Sequence, residues 1–287
     1  MPGSQRPSAG FERCKLDDLE IEDEASFRHV ALYADLKAVL RSEAYSFRVL
    51  PPAAAGRADR ALLLNLTFWG ADAGGDVLCD RVLEADVVTH VAWHHLAARA
   101  LAVPGHAMSA DALFVGEAIA SAFDVYLVGR LLGHAPDSTF LESQVPRMAE
   151  TAEAAGLSAA GFEALLGRMA ADPDRAFGDL YALLVDATRA LFDAADAESA
   201  LAALHAVDSH PFSPLLHRYE LSNWVLYARA YGDPTPDRRA RAVDLALRTA
   251  PVPLDYLGQH WLAIDPGFGV SGSTAVPRSA DPGRTTK

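Results

Sequence analysis

Two cysteines, Cys14 and Cys79, are all that this chain carries. That is too few for a disulfide framework or a thiolate zinc site, so reduced thiols in a cytoplasmic protein are the simpler reading. Positive charge is also scarce. With 25 Lys and Arg against 38 Asp and Glu, the formal charge is −13, which argues against nucleic acid and against an anionic membrane surface as partners. The longest apolar stretches are interrupted by Glu117, Asp124 and Arg130, so no membrane-spanning segment is expected. The first residues, Met1 to Ser8, lack the apolar core of a signal peptide. Gly74-Gly75 has neither the lysine nor the flanking pattern of a phosphate loop, and no Gly-x-Ser-x-Gly elbow occurs. Nucleotide-dependent and serine-hydrolase chemistries are thereby set aside.

What the chain has in quantity is apolar residues, 51% of its 287, enough for a sizeable core. Pro, Gly and Ser enrich residues 1–10 and again 266–287, so both ends are expected to be disordered. Ala25 to Glu43 reads as an amphipathic helix through Phe27, Val30, Leu36 and Val39. Two β-like runs follow, Ser46–Leu50 and Ala61–Trp69, with a third extended piece over 76–83. Beyond them the pattern predicts helices over 84–102, 109–132, 140–155, 159–171, 174–194, 197–206, 214–231 and 236–249. Their breaks carry ordinary signals, such as Asp172 as N-cap with Pro173 in the first turn. The expected fold is mainly α with a small N-terminal β-sheet, an α+β part over 11–132 leading into a helical part over 133–265.

Chemistry concentrates in two greasy segments. In Asp86–Arg99, His90 and His94 lie four residues apart, which on a helix puts both imidazoles on one face. In Leu113–Asp124, Glu117 interrupts an apolar helix, where an ionised carboxylate costs several kcal/mol unless it is partnered. A divalent ion could be that partner, and so could Arg99 or His90 in a purely structural core; spacing alone leaves both open. Asp124, two turns beyond Glu117, is placed to support a histidine ligand, and Ser121, one turn beyond, to do so more weakly.

The run Thr89-His-Val-Ala-Trp-His-His95, followed by Leu113-Phe-Val-Gly-Glu-Ala-Ile-Ala120, resembles the gluzincin metallopeptidases over about residues 60–132. The resemblance implies a zincin-like helix pair, with His90, His94 and Glu117 as the protein ligands of one divalent ion. Glu117 follows His94 by 23 residues, a longer spacing than is usual in those families. It departs more sharply at Val91, where those enzymes carry the glutamate that deprotonates the bound water. Ser121 is a second departure, standing where an acidic residue is common. Ordinary proteolysis is therefore not expected unless His95 or Asp86 stands in as base, and His95 sits about 100° round the helix from His94.

Two histidines and a carboxylate also suit Fe2+ and oxygen chemistry, which needs no such base. The leading expectation is a mononuclear Fe2+ or Zn2+ enzyme, with a non-haem iron oxygenase as its iron form, acting on a small-molecule or peptide-derived substrate. The alternatives are a hydrolase with a displaced base and a catalytically degenerate binding protein. Downstream, His217 and Tyr219 are candidates for an oxyanion-steadying role, beside His205 and His210. Glu220, Asn223 and Tyr227 fall at near-helical spacing, which is read as a solvated face.

Overall fold

A computed structural model describes residues 10–67 and 75–262, and the terminal segments expected to be disordered fall mostly outside that range. The fold is mainly α with a small N-terminal β part. The strands are β1 (Glu12–Lys15), β2 (Glu20–Glu22), β3 (Ser46–Val49), β4 (Val77–Leu78) and β5 (Val82–Glu84). β3 lies between an antiparallel β1 and a parallel β4, while β2 and β5 form a separate parallel pair.

Eleven α-helices occur among the described residues. Four belong to the first half: α1 (Tyr33–Ser42), α2 (Ala58–Thr67), α3 (Ala85–Leu101) and α4 (Ala110–His134). The rest are α5 (Thr139–Ala154), α6 (Ala159–Ala171), α7 (Pro173–Asp193), α8 (Ala197–Val207), α9 (Arg218–Tyr231), α10 (Arg238–Thr249) and α11 (Pro253–Leu257).

Three expectations need correction. The helix expected over 25–43 is broken: Ser26–His29 makes a single 3-10 turn, and Leu32, at φ 68°, takes a left-handed conformation before α1 starts. That backbone state is unfavourable for leucine and ends any continuous helix there. The helix expected from 214 begins only at Arg218, because Ser213–Leu215 forms a 3-10 turn and Leu216 is extended.

The third correction is the β-like run Ala61–Trp69, which is helical as far as Thr67; Phe68 and Trp69 lie outside the described residues. A short apolar run does not separate strand from helix by periodicity, and Ala and Leu favour the helix. Helix α2 nevertheless serves the sheet. The Asn65 amide donates to the Val77 carbonyl (3.0 Å) and accepts from its N–H (2.8 Å), acting as a strand neighbour for β4.

The apolar core runs continuously from Cys14 to Trp261 and draws on both the α+β part and the helical part. Helix α4 is its axis. By length and composition α4 could cross a membrane, but 89% of its most apolar stretch is buried within the protein. Ser109 caps its start, accepting from the Ala112 N–H at 3.1 Å.

Two glycines let neighbouring helices approach α4. A Cβ on Gly116 would meet the Ala97 Cβ at 3.2 Å, and one on Gly129 would sit 2.4 Å from the Met169 carbonyl oxygen, whereas Gly133 faces open space. Gly129→Ala is therefore expected to lower the unfolding free energy by about 1–3 kcal/mol through overpacking. Gly133→Ala should raise it by up to about 0.5–1 kcal/mol through helix propensity alone. Urea unfolding of the two variants tests this, and effects of the same sign would refute it.

Candidate metal centre

The close crossing of α3 and α4 at Ala97 and Gly116 brings the histidine pair of one helix against the carboxylates of the other. His90 and His94 lie one turn apart with ring centroids 4.8 Å apart and planes tilted by 59°, and their Nε2 atoms face each other at 3.1 Å. Behind each ring stands a carboxylate of α4. Asp124 Oδ2 lies 3.3 Å from His90 Nδ1, and Glu117 Oε1 lies 3.5 Å from His94 Nδ1. Glu117 lies against His94, and its charge also acts on His90; Arg99, the other structural partner considered for it, bonds Glu43 and the Trp261 carbonyl.

The two imidazoles have opposite proton affinities. Burial pulls the pKa of His90 down, but the charge and hydrogen bond of Asp124, with the charges of Glu117 and Asp76, outweigh it and hold His90 protonated. Burial and the positive charge of His90 keep His94 neutral. One proton between two Nε2 atoms is the consistent arrangement: His90 donates through Nε2 to His94, and through Nδ1 toward Asp124. Asp86, one turn before His90, has its carboxyl pushed up to about 7 by burial and by the charges of Asp124 and Glu84. A carboxyl in that range can exchange protons at neutral pH.

An ion at a nitrogen distance of about 2.0–2.1 Å holds tetrahedral neighbours about 3.3 Å apart, and right-angled ones about 3.0 Å apart. The 3.1 Å between the Nε2 atoms falls in that window. The third position does not fit as readily, since Glu117 meets His94 at Nδ1 and not at the convergent nitrogens. Among the described residues no three His, Cys, Asp or Glu side chains form a group that could hold a metal ion.

The site floors a cleft of about 1760 Å³, whose lining includes His90, Val91, His94, Glu117, Ser121 and Asp124. His217 and Tyr219 line the same cleft from the start of α9, both more than half exposed. His95 reaches the cleft edge but pairs at 2.6 Å with Glu43, the residue that caps the end of α1, which directs its imidazole to a structural contact. Glu220, Asn223 and Tyr227, expected to form a solvated face, line the cleft as well.

The α5 wall was not foreseen. Gln144, Arg147, Met148 and Thr151 form its stripe, and their i, i+3, i+4, i+7 spacing was the available signal. Asp76, whose charge acts on His90 and which accepts from the Tyr45 hydroxyl at 2.8 Å, gave no signal, because it lies in no motif. Compared with protein-family models, with curated proteins and with solved structures, the chain matches none, so the likeness to gluzincins stands on the quoted residues alone.

Proposed function

We propose that this chain is a metal-dependent enzyme that binds one Fe2+ or Zn2+ ion between His90 and His94 and acts on a small-molecule or peptide-derived substrate in the cleft. The observation that carries the reading is the pair of Nε2 atoms facing each other at 3.1 Å, each ring backed by a carboxylate on Nδ1. A carboxylate on the far nitrogen is how metal-ligating histidines are oriented and made more basic. Glu117 is the proposed third ligand, and reaching the ion requires its carboxylate to turn from the Nδ1 side of His94 toward Nε2. Bound iron would supply oxygen activation, and bound zinc Lewis acidity.

The residues divide the remaining work. Asp124 holds the His90 ring. Val91, buried at the cleft edge, offers no proton acceptor where a peptidase has its base. Asp86, with its raised carboxyl one turn before His90, is not among the residues lining the cleft, so a hydrolytic reaction has no base at hand in that lining from this helix other than its histidines. A second reading, a binding cleft without catalysis, is favoured by Val91 and by the lack of a three-residue ligand group among the described residues.

Anaerobic purification followed by elemental analysis separates the two. Wild type should carry about one Fe or Zn per chain and His94→Ala almost none. Equal, near-zero metal in both would leave the binding reading. Oxygen uptake against hydrolysis then distinguishes the iron and zinc chemistries.

A further inference from the structure

Along α9, Glu220, Trp224, Tyr227 and Tyr231 follow at intervals of four, three and four residues, so they form one stripe about 16 Å long. All four line the cleft. The Tyr227 and Tyr231 rings meet at 5.1 Å and 49°; Trp224 and Tyr227 pack partly against the core, while Tyr231 remains 69% exposed. An aromatic stripe that lines a cleft and ends in an exposed ring marks a contact surface.

The charge of the lining points to what it contacts. The cleft lining carries Asp76, Glu117, Asp124, Glu150 and Glu220 against Arg48, Arg147 and the Asp124-paired His90, within a chain of net charge −13. Arg147 stands three residues from Glu150 on α5, so that wall is locally balanced. Arg218 and Arg229 of α9 do not line the cleft, so Glu220 is the charged group that this helix offers to it, with His217 at 3.8 Å as a loose and exposed neighbour. A carboxylate followed by aromatic faces suits an ammonium group, attracted by the charge and by the π faces together. The volume, about 1760 Å³, exceeds the roughly 300–1,000 Å³ of ordinary small-ligand pockets, and the stripe of about 16 Å suits an occupant extended along α9.

We infer that α9 holds the amine-bearing end of an elongated cationic substrate, with Glu220 pairing the ammonium and Trp224, Tyr227 and Tyr231 covering the adjoining carbon chain. This rests on the cleft being the substrate site of the proposed enzyme. It is tested by calorimetric titration of the full chain at low ionic strength with 1,8-diaminooctane and, as an uncharged match in length, 1,8-octanediol.

The diamine is expected to bind at least fivefold tighter than the diol, with the advantage shrinking as salt is raised. Glu220→Gln and Tyr231→Ala, both at exposed positions, should each weaken diamine binding at least threefold with unchanged circular dichroism. Equal binding of the two compounds, preference for 1,8-octanedioate, or undiminished diamine affinity in both variants would overturn the inference. Binding is read without metal or turnover. A wild type that lacks metal but keeps the diamine preference would count against the metal reading and for this one. A metal-loaded wild type that binds diol and diamine alike would count the other way.

Discussion

Asp244→Ala is expected to cost about 3 kcal/mol of stability, the low end of the range for removing one member of a buried ion pair. Asp244 of α10 is 7% exposed and accepts from the Tyr181 hydroxyl at 3.1 Å, from Arg248 Nε at 2.7 Å and from Arg189 Nη1. Arg189 of α7 also donates to Asp111 of α4 at 3.0 Å, and Asp111 in turn accepts from Arg241 at 2.8 Å. The network thus ties α4, α7 and α10 together. Its loss is moderated because Arg189 keeps Asp111 and Arg248 keeps Asp186. At about 2–4 °C per kcal/mol for a chain of this order of size, the melting temperature should fall by roughly 6–12 °C.

The pH dependence has a definite sign. Burial alone would raise the pKa of Asp244, but the hydrogen bonds and charges of Arg248 and Arg189 outweigh it and leave the carboxyl below its ordinary value. A depressed carboxyl contributes stability that is complete above the unfolded pKa, about 3.9, and disappears as pH falls through the lower folded value. The stability gap between wild type and Asp244→Asn should therefore be constant from pH 7 to about 5 and narrow below about 4. A gap that widened in acid would show that Asp244 is not held ionised by its arginines.

The second large effect concerns metal affinity, on the reading that His90 and His94 are ligands. Asp124→Asn leaves both imidazoles in place but weakens the acceptor on His90 Nδ1, so affinity for Fe2+ or Zn2+ should drop about 10–100-fold. Glu117→Gln separates two roles for that residue. If Glu117 only orients His94, the loss should match that of Asp124→Asn; if it turns in to ligate the ion, the loss should be greater still. Competition against a chromophoric chelator measures all three proteins. Unaltered affinity in both variants would mean that neither carboxylate supports the site.

The legibility of the chain divides along the range of the interactions. Helices α3 to α7 were readable because their signals are local: apolar periodicity, Asp172 as a cap, Pro173 in a first turn. The His90–His94 spacing is local too, and it places two imidazoles on one face whatever surrounds them. Helix α2 was misread because Ala61-Leu-Leu-Leu64 is apolar without periodicity, and its service to β4 through Asn65 spans 12 residues. The break at Leu32 was missed because the sequence there offers no glycine or proline to mark a left-handed residue.

By itself, then, the sequence determined that the fold is mainly helical, that His90 and His94 share a face, and that buried Glu117 must have a partner. Only the tertiary structure decided who that partner is. Whether Glu117 meets His94 at Nδ1, and Asp124 meets His90, depends on how closely α3 and α4 cross, which Gly116 against Ala97 sets at 3.2 Å for an added Cβ. Likewise, α5 and α9 form walls of one cleft only because the chain between them folds back across the core. Periodicity along a helix says which residues share a face; it carries no information on what that face will meet.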